Sequence, residues 1–290
     1  MEWFYFAGIS AILSAFAAII EKKALFKDRA LDFVLVLAIF NMILASIFLF
    51  YIDFSKITSI SLIVLLFKAV LNGIAFVGVM FAIKNLELSD ALPLLVLTPG
   101  FVALFAWIFL KESLTNLEIF GLFLLTLGVY IFQTNRSLLD PFKKLKKGYK
   151  FIILALTLFT ITTILDRVLL NKYKLQPTAL MSFQHFFFFF IFLAMFLIFD
   201  KRKNIKNFGK TLRRDWILIL ILSLVTIGYR YFEILAIKTT TSTALALAVK
   251  RTSVFFAVVI GGELFKEHNL LKKTIATLLL IIGAILVIRF

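Results

Sequence analysis

Apolar residues fall in ten nearly unbroken runs along the chain, at 3–20, 33–52, 61–83, 90–110, 117–134, 151–170, 178–199, 216–238, 243–264 and 270–288. Each is long enough to cross a hydrocarbon core of about 30 Å as a helix rising about 1.5 Å per residue. Backbone groups in lipid cannot turn to water, and these runs are too long and too uniformly apolar for barrel strands. The pattern predicts an all-α integral membrane protein with ten transmembrane helices. Composition agrees: 62% of the 290 residues are hydrophobic, against roughly 45–50% in soluble domains, and the mean hydropathy is +1.03. The first run, "WFYFAGISAILSAFAAII", has no Lys or Arg before it and no small-residue cleavage site. It is expected to be a retained helix rather than a signal peptide. The absence of cysteine excludes disulfides and thiolate metal sites. The 36 phenylalanines, five of them at 186–190, fit a lipid-facing surface.

A formal charge of +16 raises the possibility of a nucleic-acid partner, so the position of the charge matters. The richest loops are 21–29, 135–150 and 200–215, which ten spans place on the side opposite the termini. About 21 Lys and Arg lie on that side and about 7 on the other. Basic loops in the cytoplasm and both termini outside are therefore expected, in a multi-pass protein of the bacterial inner membrane. Topology and attraction to anionic lipid account for the charge, and no nucleic acid is required.

The chain contains itself twice. Residues 81–132 run parallel to 235–288: "AIK" at 82–84 meets "AIK" at 236–238, "LKE" ending at Glu112 meets "FKE" ending at Glu267, and Gly128 meets Gly283. Upstream, "IIEKKALFK" (19–27) matches "ILDRVLLNK" (164–172) more weakly. Each copy holds five spans, and an odd number reverses the second copy in the membrane. Two five-helix repeats are expected at 1–138 and 149–290, joined by a basic linker at 139–148. Inverted repeats are the common build of secondary transporters, with the substrate site near the bilayer midplane.

These tandem copies, with "ALPLLVLTPGFVALFAWIFLKESLT" and "LALAVKRTSVFFAVVIGGELFKE", make nearly the whole chain resemble the drug/metabolite transporter superfamily in its EamA-like, ten-helix branch. The resemblance implies a carrier of small metabolites and does not choose among amino acids, sugars, nucleotide derivatives and drugs. Two departures stand out. The Trp-Gly pair often seen in the family's first helix is absent, and the fourth helix's Pro99 is replaced in the second copy by Ser253, which implies a less broken ninth helix.

Counting outward from the short turns places Arg230 and Glu233 of the eighth span level with Lys250 and Arg251 of the ninth, roughly 10–15 Å from the terminus-side face. Lys68 and Asn72 of the third span, Gln184 and His185 of the seventh, and Ser10 and Ser14 of the first fall in or near that layer. A cation at the bilayer centre costs at least about 2.5–3.5 kcal/mol, so these side chains should face protein or water. Lys68, Arg230, Lys250 and Arg251 against Glu233 leave three excess positives. That excess asks for an anion, a carboxylate or phosphate gripped by Arg230 or Arg251, with Glu233 as counter-ion and possible proton carrier. A plainer arrangement is also open: Glu233 as a structural partner of Arg230 or Lys250, Lys68 reaching outward, and His185 as a packed, hydrogen-bonded core residue. Pro93 and Pro99 bracket "LLVLT" and would bend the fourth span, either as a gate or simply to pack.

A secondary transporter working by alternating access fits these features, moving an amino acid, organic acid or phosphorylated solute around a cationic central cavity. Without a Walker motif, direct use of ATP is not expected. A flippase for a phosphorylated lipid would share the cavity. An integral-membrane lipid-modifying enzyme fits less well, since the only histidines are His185 and His268 and no His/Asp/Glu group has metal spacing. No metal or other cofactor is implied.

Overall fold

In the computed structural model of the protein the described residues are 2–86, 88–95, 98–111, 115–133, 147–199 and 205–266, with 275, 279, 282 and 283. Regular structure among them is all helical. Helix α1 spans Glu2–Leu25, α2 Ala30–Ala45, α3 Ser59–Asn85, α4 Leu88–Leu95, α5 Thr98–Leu110 and α6 Asn116–Gln133. In the second half α7 spans Lys147–Arg167, α8 Pro177–Phe199, α9 Ile205–Thr239, α10 Thr243–Arg251 and α11 Ser253–Leu264. Short 3-10 turns follow α2 at Ser46–Tyr51 and Phe54–Lys56, and a π turn, Val168–Lys172, ends α7.

Local chemistry sets several of these ends. Thr58 and Ser61 cap α3 reciprocally, each side chain serving the other's backbone N–H. Pro177 opens α8 at a position where a missing N–H is harmless. Helices α5 and α11 both end at a lysine in the left-handed region, Lys111 and Lys266, each with φ of 55°. These are the lysines of the matched "LKE" and "FKE" segments, so the two copies end their helices in the same way.

Seven segments among the described residues are long and apolar enough to cross a membrane: Glu2–Leu25, Ala30–Tyr51, Ser59–Asn85, Gly148–Lys172, Pro177–Phe199, Thr211–Thr239 and Thr243–Leu264. They correspond to the first three and the sixth to ninth expected spans. The fourth span is α4 and α5, on either side of residues 96–97, and the fifth is α6. Most of the tenth span and of the 139–148 linker lies outside the described residues. The ninth span, Thr243–Leu264, is one membrane-length segment with a turn at Thr252. Ser253 stands where the first copy has proline, and α10 stops at Arg251 and α11 restarts at Ser253. At the turn the Thr252 N–H donates to the Val249 carbonyl at 3.1 Å and its hydroxyl donates to the same oxygen at 2.7 Å. A hydroxyl bonding back to its own helix competes with the regular ladder.

Packing joins the halves by exchange. Helix α1 packs chiefly on α9, α3 on α7, and α2 on α8 and α9. The first and third helices of one copy thus meet the third and first of the other. Close approach between α3 and α7 depends on Gly78, where a Cβ would lie 3.3 Å from the Phe151 carbonyl oxygen. Large apolar side chains such as Tyr5, Phe50, Ile63, Phe109 and Ile198 stand on the outside, as a lipid-facing surface requires. The charged residues Lys68, Asp166 and Glu233 are buried inside. Gly78→Leu is expected to wedge α3 from α7 and lower stability by about 1–3 kcal/mol, whereas Gly8→Ala, with nothing within 4 Å of the added Cβ, should leave it unchanged. Thermal unfolding of both variants in one detergent checks this.

Candidate functional site

Five helices bring ionisable side chains to one interior layer. Helix α3 contributes Lys68, α7 contributes Asp166 near its end, α8 contributes Gln184 and His185, α9 contributes Arg230 and Glu233, and α10 contributes Lys250 and Arg251. Arg230 and Glu233 share a helix face because they are three residues apart. Their side chains form a chain of alternating charge. The Lys68 ammonium pairs with Asp166 and also donates to the Gln184 amide oxygen. Arg230 donates through Nη2 to Asp166 Oδ2 at 2.7 Å and through Nη1 to Glu233 Oε2 at 2.7 Å. Lys250 Nζ completes the series 3.2 Å from Glu233 Oε1, with the Tyr229 ring 5.4 Å away.

Arg251 stands apart from this chain. Its Nη2 donates to Thr98 Oγ1 at 3.2 Å, and among the described residues it has no carboxylate partner. Thr98 is the first residue of α5 and its hydroxyl reaches back to the Leu95 carbonyl, 2.5 Å away.

Beside the charges is a cavity of about 120 Å³, lined by α2, α3, α7, α8, α9 and α10. Arg230, Glu233, Lys250, Arg251, Asn72, Gln184 and His185 all line it, as do Asp166, Tyr229 and Asn41. Several polar atoms on its lining residues have no partner among the described residues: Asn41 Oδ1, both His185 ring nitrogens, Thr226 Oγ1 and Arg251 Nε. Buried polar atoms are ordinarily satisfied, so this wall is suited to a polar occupant.

The remaining candidates fall elsewhere. Lys68 is fully buried behind the cavity, inside the protein, which corrects the reading that it reaches outward. His185 is packed edge-on against Phe188, as a core histidine would be, but has no hydrogen bond among the described residues. Ser10 donates to the Tyr229 carbonyl at 2.9 Å and ties α1 to α9 rather than facing the cavity, and Ser14 does not line it. Pro93 lies within α4, and Pro99 is buried at the start of α5, outside the cavity wall. His268 and Glu267 lie outside the described residues.

Asp166 is the residue that sequence reasoning missed. It sits near the end of an expected span and was legible only as part of the weak match between "ILDRVLLNK" and "IIEKKALFK". That match was the usable signal. It pairs Glu21–Lys22 with Asp166–Arg167, and the basic members make matching contacts. Lys22 Nζ donates to the carbonyls of Ile83 at 2.7 Å and Leu86 at 2.6 Å. Arg167 Nη1 donates to those of Ile237 at 2.7 Å and Thr240 at 2.9 Å. Ile83 and Ile237 are the same residue of the repeated "AIK". With Asp166 counted, four cations face two carboxylates, and the excess falls from three positives to two.

The sequence model of the EamA-like transporter family matches residues 1–134 and 146–289, both halves of the chain. The chain belongs to the EamA-like transporter family. This EamA-like protein is therefore a multi-pass integral membrane protein of the drug/metabolite transporter superfamily, whose members are generally transporters rather than enzymes. No curated protein matches its sequence. A crystal structure described only as that of a protein is similar over 96% of both chains, with a TM-score of 0.66 and 13% identity. At that identity the likeness concerns the fold alone.

Asp166→Asn should leave Lys68 and Arg230 sharing no carboxylate, a loss of about 3–5 kcal/mol by comparison with other broken buried pairs. Adding Lys68→Met should restore part of it. Denaturation of the single and double variants measures the recovery.

Proposed function

We propose that this EamA-like protein is a secondary active transporter of a small anionic or zwitterionic metabolite, held by Arg251 in the central cavity. One observation carries the reading. Lys68, Arg230 and Lys250 each have a carboxylate, whereas Arg251 lines the cavity without one among the described residues. A guanidinium offers a planar fork of donors suited to carboxylate or phosphate, and its Nε is unpartnered. Asn41, His185 and Thr226 offer hydrogen bonds to the neutral part of the solute. A cavity of about 120 Å³ favours an amino acid, an organic acid or a small phosphorylated solute.

The mechanism is alternating access. Two copies of five helices, inverted in the membrane, would rock against each other around the cavity, with the basic loops in the cytoplasm and the termini outside. The exchanged packing of α1 on α9 and α3 on α7, and the matched contacts of Lys22 and Arg167, support that symmetry. Polar ties between the halves are the bonds such a movement would break. Asp28 accepts from Thr211 at 2.8 Å and Arg214 at 2.5 Å, and the Asp53 N–H donates to Gln176 Oε1 at 2.9 Å.

Thermal shift of purified protein with inorganic phosphate, succinate, glutamate and glucose 6-phosphate tests the anion. At least one should raise the unfolding midpoint, and Arg251→Ala should weaken its binding about ten- to hundredfold, as loss of a charged hydrogen bond predicts. Arg251→Lys should retain part of it. A folded Arg251→Ala protein that binds as the parent does, or a panel without effect, would overturn the reading. A response to a lipid phosphate alone would favour a flippase.

A further inference from the structure

One buried charge takes no part in the alternating chain. Glu21 lies one turn from the end of α1, is 6% exposed, and among the described residues has neither a hydrogen bond nor an ion pair. The repeat matches it to Asp166, which has two cations. Because Lys22 and Arg167 make the same contacts in their own halves, the acids beside them occupy equivalent places on α1 and α7.

Helix α10 packs on α1 and carries the cation whose charge reaches Glu21: Lys250, the same ammonium that pairs with Glu233. Lys250 also lies over the ring of Tyr229, which lines the cavity. Other charges on the helices packed against α1 are engaged or exposed. Arg230 is held by Asp166 and Glu233, Arg251 by Thr98, and Lys84 donates to the Asp28 carbonyl. Asp32 faces Arg29 at 3.6 Å, Lys22 is bound to backbone carbonyls, and Lys23 and Glu263 are exposed. A lone ionised carboxylate is not sustained in such an interior: it carries a proton or takes a cation.

We propose that Glu21 is the proton carrier of the transport cycle: it holds a proton while Lys250 pairs with Glu233, and releases it to water as Lys250 swings across to Glu21. One proton leaves and one ammonium takes its place beside the carboxylate. Glu233 then keeps Arg230 as its partner. Glu233 is less suited to the carrier's part, because two cations already occupy it. This assignment rests on the transporter reading, and adds to it the class of coupling ion.

Infrared difference spectroscopy across a pH titration, on purified protein in lipid nanodiscs without solute, reads the proton directly. A protonated-carboxyl band at neutral pH is expected in the parent, lost in Glu21→Gln, and displaced in Glu21→Asp, which also covers a failure of the first variant to fold. In Glu233→Gln, which leaves Lys250 to Glu21, the titration midpoint should fall by about 1–3 pH units. An unchanged band in the Glu21 variants overturns the carrier, and an unmoved midpoint in Glu233→Gln overturns the hand-over. A Glu21-dependent proton signal in a protein that binds no anion of the thermal-shift panel would overturn the anion reading alone, whereas anion binding without such a signal would overturn this one.

Discussion

The structure depends on keeping charge inside a protein surrounded by lipid, and two carboxylates make that possible. Asp166 and Glu233 stand between three cations, so Lys68, Arg230 and Lys250 are neutralised in sequence rather than one by one. A lone cation at this depth opposes insertion by at least about 2.5–3.5 kcal/mol, more than a few leucines return. Sharing each carboxylate lets two acids hold three bases. It also fixes geometry, since α3, α7, α9 and α10 must converge for the series to close.

The same arrangement decides what is left for a ligand. Arg230 uses both terminal nitrogens on protein carboxylates, so its strong charge serves the scaffold. Arg251 lies one residue beyond Lys250, at the end of α10, and its hydrogen-bond partner among the described residues is the hydroxyl of Thr98. A guanidinium readily exchanges a neutral acceptor for a charged one. Structural pairing and a lined cavity were alternatives in the sequence, and in the structure the paired Arg230, Glu233 and Lys250 themselves line the cavity.

Much of this was legible beforehand, and the exceptions have physical causes. Run length exposed the spans because lipid demands it, and the repeat exposed the family because the two copies share fold constraints. Seven of the eight proposed lining residues do line the cavity, because polar side chains at one depth in neighbouring helices have nowhere else to go. Lys68 lies in the interior as the favoured reading had it, but depth along a helix does not reveal that its ammonium turns to Asp166 instead of the cavity wall. Asp166 was overlooked because its place near a helix end resembled an ordinary boundary charge. The turn in the ninth span lies beside the serine that replaces the first copy's proline, and there the Thr252 hydroxyl bonds back to the Val249 carbonyl, a local contact that residue matching does not reveal.

Lys22 and Arg167 have a mechanical consequence. Each fastens the first helix of its copy to the end of the third, through carbonyl oxygens with no helical partner. Every such half is thus triangulated like a truss, stiff against internal shear. The closest helix packing, of α1 on α9 and α3 on α7, runs between the two halves and holds these braced units against each other.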